Sequence, residues 1–170
     1  MSPGIMLVAL SIIIVVVLGV SGVRFARVHE RFVVFRFGQV AGVRGPGLAF
    51  VLFPIEKAIR VDLRGASVDL GRYTYETADG REVRYDGQVA WRIVDPVKSV
   101  IQVHSVSQSV AEDAEDWLES TTSGLSYGDV ASRKRQLEEK LAASLRKELP
   151  KLGLELSACE ITDIRQASRG

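Results

Sequence analysis

The chain is poor in the side chains that carry chemistry. It has one cysteine, Cys159, so no disulfide can close within it, which suits a reducing compartment. Cys159 sits in an apolar strand-like pattern and reads as inert. Its two histidines, His29 and His104, are isolated and lack metal-ligand spacing; both are expected at a surface or an interface. No Gly-x-Ser-x-Gly elbow occurs, and no glycine loop followed by Lys-Ser/Thr. A formal net charge of +1, with no Lys/Arg run interleaved with aromatics, removes the signature of a nucleic-acid binder. No internal repeat or low-complexity stretch is present. The sequence therefore predicts no catalytic residue, no metal, no cofactor and no enzyme activity.

The most informative absence is local. From Ser2 to Val23 there is no charged side chain, and Ile5 to Val20 is apolar except at Ser11 and Gly19. About 20 helical residues cross a hydrocarbon core of about 30 Å, so this run is just long enough. A helix in lipid closes its own backbone hydrogen bonds, which makes the β-branched block Ile12–Val17 acceptable there. The preferred reading is a transmembrane anchor over residues 1–23. A cleavable signal peptide would want a basic start and a small-x-small exit, and Ser21-Gly22 is a weak one. A buried core helix would need a larger domain around it.

Charge then suggests an orientation. Arg24, Arg27, Arg31 and Arg36 follow the run, and the positive-inside rule keeps the C-terminal side cytoplasmic. Two roles are open for these arginines. They meet anionic headgroups, or Arg31 and Arg36 already belong to a strand and face solvent. Arg24 and Arg27 are the membrane-contact candidates.

Beyond the run, residues 24–170 suffice for one compact domain plus an appendage. Phe32 to Phe37 is apolar on both alternating faces except at Arg36, as in a strand covered on both sides. Gly38 and Gly42 punctuate a connection ending in the turn Gly45-Pro46-Gly47. The octet Leu48–Ile55 is too short to span a bilayer. It reads as a core strand ended by Pro54, or as a segment dipping into the headgroup boundary through Phe50, Leu52, Phe53 and Ile55. The two are compatible if one face packs and the other meets lipid.

Ala58 to Arg64 alternates, with Ile59, Val61 and Leu63 on one face. Ala66 to Leu70 is a further short strand. Tyr73 to Thr77 leads into the turn pair Asp79-Gly80. Glu82 to Ile93 is the strongest strand, with Val83, Tyr85, Gly87, Val89, Trp91 and Ile93 facing inward. Asp95-Pro96 opens a helix, and Ser105 with Gln108 predicts a capping box for a second.

The second helix has an apolar face of Val106, Val110, Ala114, Trp117, Leu118 and Thr121. Its outer face is acidic, with Glu112, Asp113, Glu115, Asp116 and Glu119. A third helix runs from Tyr127 or Val130 to Leu149, striped by Leu137, Leu141, Leu145 and Leu149. Its start, Arg133-Lys134-Arg135, opposes the helix dipole and predicts an acidic neighbour, for which the second helix, in this or an adjacent protomer, is the candidate. Leu154 to Ile164 closes the chain as a strand with a slip near Ala158-Cys159 that reads as a bulge.

Gly38, Gly42, Arg44-Gly45-Pro46-Gly47-Leu48, Val61-Asp62-Leu63-Arg64, Asp79-Gly80 and Trp91-Arg92-Ile93-Val94-Asp95-Pro96-Val97-Lys98 together resemble the stomatin/slipin-like branch of the SPFH superfamily (stomatin, prohibitin, flotillin, HflK/HflC). The resemblance covers residues 24–166. It implies an α+β fold: an N-terminal transmembrane helix followed by an SPFH domain, a bent antiparallel sheet with packed helices. Family members continue into a long coiled-coil helix, so the chain reads as having a shortened C-terminus, with 167–170 as tail. Glu119 stands where stomatin-like sequences tend to have a basic residue and Arg133 where they tend to have an acid. That swap suits a compensated contact or a hetero-oligomer with a related SPFH protein.

The function implied is that of a membrane-anchored scaffold that oligomerises to organise a microdomain and regulate membrane proteins. Its protomer-interface candidates are Glu112, Glu115, Asp116, Glu119, Arg133, Lys134 and Arg135. The alternative is a regulatory subunit of a membrane-bound protease that builds no cage of its own. A third reading, a tethered hydrolase, lacks a nucleophile and a base.

Overall fold

A computed structural model describes residues 4–12, 22–52, 54–102 and 105–167. The chain divides into two compact units, residues 1–63 and 64–170. Residues 4–12 are helical (α1). Among the described residues no helix is long and apolar enough to cross a membrane; the span expected over 1–23 lies partly outside them. Phe53 and His104 also lie outside.

The described residues of the first unit form five strands: β1 (Val23–Ala26), β2 (Glu30–Arg36), β3 (Gln39–Arg44), β4 (Gly47–Phe50) and β5 (Glu56–Asp62). They form a two-stranded ribbon, β1-β4, and a three-stranded antiparallel sheet ordered β3-β2-β5. Phe32, Val33 and Val34 are buried in succession, so β2 is covered on both faces, as its β-branched and aromatic content predicts. The strand ends one residue earlier than expected, because Phe37 and Gly38 take positive φ (50° and 82°) and make the two-residue hairpin turn between Arg36 and Gln39. Phe37 is thus thrust outward, 83% exposed. The stretch from Gly38 to Gly42, expected as a connection, is mostly strand: β3 pairs with β2, with a register slip at Val34/Phe35. The strand expected from Ala58 begins two residues earlier, at Glu56, and Leu63 falls just beyond it.

The second unit is built on β8 (Glu82–Ile93), which pairs antiparallel with β6 (Ala66–Asp69), β7 (Tyr75–Glu76) and β9 (Leu154–Gln166). The SPFH-like bent sheet is therefore realised as separate antiparallel sheets. Val83, Tyr85, Val89 and Trp91 are buried, as alternation demands. On this face lie α3 (Val106–Thr122) and α5 (Lys134–Glu148), through Val110, Ala114 and Leu118, and through Leu137, Leu141 and Leu145. Leu149, the last of the stripe, sits in a short 3-10 turn, Leu149–Leu152, and is also buried. The buried threonine of α3 is Thr122 rather than Thr121; its hydroxyl meets that of Tyr85 at 2.6 Å.

Helix starts follow the sequence in part. Asp95 caps α2 (Pro96–Ile101), accepting from the N–H groups of Val97 and Lys98. Ser105 accepts from Gln108 N–H at 3.4 Å, but the Gln108 side chain donates to Glu112 instead of reaching back, so half of the capping box forms. The single third helix is two: α4 (Tyr127–Ser132) and α5, broken at Arg133 (φ −108°, ψ 24°). Gly128, Val130 and Ser132 are weak helix formers, and Ser126 caps the short piece by accepting from Asp129 N–H. In β9 the register shifts twice, leaving Ser157 and Thr162 as the extra residues; the first lies beside the expected slip and the second was not foreseen.

At Gly87, β9 passes close against the backbone of β8. A Cβ there would stand 2.2 Å from the carbonyl oxygen of Glu160, so Gly87→Ala is expected to force the two strands apart and to lower stability more than Tyr85→Phe. The latter leaves the buried Thr122 hydroxyl unpaired, at a cost of about 1–3 kcal/mol. Denaturant midpoints of the two variants check both statements.

Candidate functional site

The ribbon β1-β4 has two chemically different faces. Val23 lies opposite Phe50 and Phe25 opposite Leu48, and these four side chains are 49%, 47%, 65% and 79% exposed. Successive side chains of a strand point to opposite faces, so Arg24, Ala26 and Ala49 lie on the other side. Ala26 and Ala49 are buried there against Phe32 and Val34, the small core of this unit. Leu52 and Ile55 are also exposed, and Val51 is buried. Of the octet, Leu48–Phe50 lie in β4; Ala49 and Val51 are buried, and Leu48, Phe50, Leu52 and Ile55 are exposed.

Of the membrane-contact candidates, Phe50 is on this bare face; Leu52 is exposed, and Ile55 lines a separate concavity with Phe35, Phe37 and Ile59. Arg24 is on the opposite face of the ribbon, where it lines a groove of about 540 Å³ with Phe32, Val51, Lys57, Ala58 and Arg60. The Arg27 side chain is exposed, and its backbone N–H donates to Glu30 at 3.0 Å. Arg31 and Arg36 belong to β2: Arg31 donates to the carbonyls of Val28 and Glu30, and Arg36 to Glu56 rather than merely facing solvent. Sequence reasoning missed Val23, Phe25 and Leu48 as partners of Phe50. The signal was there, in the alternation of Val23-Arg24-Phe25-Ala26 against Leu48-Ala49-Phe50-Val51.

A second feature escaped the sequence altogether. The Glu56 carboxylate is fully buried and accepts from Leu52 N–H at 3.0 Å, Arg36 at 2.6 Å and Arg44 at 3.1 Å. Its pKa falls to about 2, driven by the Leu52 N–H, then by Arg36 and Arg44, against the opposing cost of burial. The strand register makes the cluster: Arg36 lies directly across from Glu56, and Arg44 comes in from the other edge of the same sheet. One acid thus joins the ends of β2, β3 and β5 to the turn after β4.

The protomer-interface candidates behave differently. Arg133 pairs with Asp129 at 2.9 Å, Arg135 with Glu139 at 3.3 Å, and the Lys134 ammonium donates to the carbonyl of Thr162. Among the described residues, the basic start of α5 is answered by Asp129, Glu139 and the Thr162 carbonyl and not by α3. On α3, Glu112 accepts from Gln108, and Glu115 lies near Arg72 with its pKa raised chiefly by burial. Asp116 and Glu119 are exposed. The Tyr75 hydroxyl is buried with no hydrogen-bond partner among the described residues; burial, then the charge of Glu115, raises its pKa. The Cys159 thiol is pushed up to about 11, mainly by burial, which removes the thiolate a nucleophile needs.

The family model described as SPFH domain / Band 7 family matches residues 24–168. The chain belongs to this family. It is 33% identical over 153 residues to an uncharacterized protein of Archaeoglobus fulgidus, covering 90% of this chain and 61% of the relative. Over 144 residues it is 33% identical to a stomatin homolog of Pyrococcus horikoshii, covering 85% and 54%. The Stomatin of Mus musculus is 23% identical over 145 residues, covering 84% and 51%. The SPFH chain described here therefore spans between half and two thirds of the length of these relatives.

The Glu56 cluster generates a pH prediction. A carboxylate whose pKa is depressed by folding contributes stability that is present above its unfolded pKa of about 4.5 and is lost as pH falls towards about 2. Thermal melts from pH 7 to pH 2 are expected to show Glu56→Gln less stable than the parent at neutral pH, with the gap closing across that acid window. Parallel curves would contradict the role assigned to Glu56.

Proposed function

We propose that this SPFH domain is the membrane-facing part of a scaffold that works by assembly and performs no chemical step. The observation that carries the reading is the bare apolar face of the β1-β4 ribbon, which begins at Val23, directly after the apolar run Ile5–Val20. Exposed aromatic and aliphatic side chains in one contiguous patch mark an interaction surface, and Phe and Leu suit shallow insertion at the headgroup boundary. Residues 1–23 anchor the chain in this reading, and Phe50, Leu52, Phe53 and Ile55 extend the contact. Arg24 and Arg27 then hold the domain on the cytoplasmic side.

Assembly is proposed to join the acidic face of α3 in one copy to the basic start of α5 in the next. Glu112, Glu115, Asp116 and Glu119 supply one side, and Arg133, Lys134 and Arg135 the other. Such a head-to-tail contact closes into a ring when the rotation allows it. In this reading the assembled rings delimit a patch of bilayer and hold membrane proteins within it.

Two measurements test the reading. In the full chain carrying Cys159→Ala and Leu48→Cys, a spin label at position 48 is expected to lie at the headgroup-acyl boundary of reconstituted bilayers; a fully water-exposed label would rule out insertion of the ribbon. Light scattering of the full chain in mild detergent is expected to give a particle of many protomers. Glu119→Arg should shrink it, and adding Arg133→Glu should restore it. A monomer or small oligomer in the parent would favour the alternative, a regulatory subunit of a membrane protease.

A further inference from the structure

We propose that the hairpin end of the first unit, led by Phe37, is a second surface that enters the bilayer, distinct from the ribbon face. Phe37 and Gly38 form the tip of the β2-β3 hairpin, and both take positive φ. Glycine and asparagine hold such a turn at little cost, whereas a bulky aromatic residue there is an outlier. The ring is 83% exposed and has no part in the core of its unit. A costly side chain kept at a tip and turned away from the core points to a role outside the fold.

The tip has apolar neighbours. Phe35 lies directly across from Val40 on β3 and from Lys57 on β5, and all three are on the sheet face opposite Phe32 and Val34, the face that meets the ribbon. Val40 and Ile55 are exposed. Phe35, Phe37, Pro54, Ile55 and Ile59 line a hollow of about 450 Å³, in which Lys57 is the one charged residue among those described.

Chain connectivity identifies the occupant. The uncharged run ends at Val23, which lies across from Phe50, and the Gly22 carbonyl accepts from Val51 N–H at 2.7 Å. The next residue, Leu52, donates its N–H to Glu56, and Glu56 lies across from Arg36, the neighbour of Phe37. The run therefore joins the domain at the same end of the unit as the hairpin tip. With residues 1–23 held in a bilayer, the reading on which this inference rests, that end faces lipid. Shape agrees with this. A projecting ring beside a hollow needs a protein partner matched to both, whereas fluid acyl chains conform to either. Lys57 can carry its ammonium to the phosphate level while its stem stays in the apolar zone.

The accessibility of a nitroxide label tests the proposal. In the full chain carrying Cys159→Ala and Val40→Cys, reconstituted in bilayers of phosphatidylcholine and phosphatidylglycerol, the label is expected to be relaxed by oxygen in preference to a water-soluble nickel chelate. Phe37→Asn places a residue that tolerates positive φ in the turn, so the hairpin stands. Loss of the ring should lower the ratio of inserted to free hairpin ends at least about tenfold, read as a rise in nickel accessibility at position 40. A nickel-favoured label in the parent would overturn the proposal. So would a label shielded from both reagents, which would make the hairpin end a contact between copies, and so would an unchanged label in Phe37→Asn. The ribbon reading fails separately: a label at position 48 in water with one at position 40 in lipid would sink the ribbon and leave the hairpin end standing, and the reverse would sink the hairpin end alone.

Discussion

The second unit depends on one strand being apolar at every other position for its whole length. β8 offers Val83, Tyr85, Val89 and Trp91 to one side, and both of its edges are occupied, by β6 and β7 on one and by β9 on the other. The helices exist as packed elements because that face needs cover. Neither α3 nor α5 is apolar enough to be a core helix, and each contributes only a stripe. The hydroxyl pair of Tyr85 and Thr122 fixes how α3 sits on the strand, because neither group can be left unpaired in a buried site without cost.

The first unit follows a different economy. Its core cluster is one phenylalanine, Phe32, among the small side chains Ala26, Val34 and Ala49, and its coherence comes from a buried acid. Glu56 gathers two arginines and a backbone N–H from separate strands and turns. Breaking such a cluster leaves uncompensated buried charge, which is costly. The arrangement leaves the apolar side chains of the ribbon free to face outward. In a unit with a larger core, Phe25, Leu48 and Phe50 would be the natural residues to bury.

That division suits the proposed role. A scaffold at a bilayer needs one part that holds its shape without help and one that presents apolar surface to lipid without collapsing on it. The long β8-β9 pair with its helices supplies the first. The ribbon and the Glu56 cluster supply the second.

Strand and helix existence was legible in the sequence wherever a single periodicity ran long: alternation over Glu82–Ile93, the leucine stripe of α5, and Asp95-Pro96 as a helix start. The family was legible as well, because spaced turn and strand residues from Gly38 to Lys98 recur as a set. What sequence could not decide were the pairings. The outward face of the ribbon needs Val23 and Phe25 set beside Leu48 and Phe50, which are far apart in the chain and meet only through strand register. The Glu56 cluster needs Arg36 across one strand boundary and Arg44 across another. The charges opening α5 are satisfied by Asp129, Glu139 and the carbonyl of Thr162, a choice set by the break at Arg133 and by where β9 passes. Local pattern determines which face of an element is apolar; only the tertiary structure decides whether that face is covered or left bare.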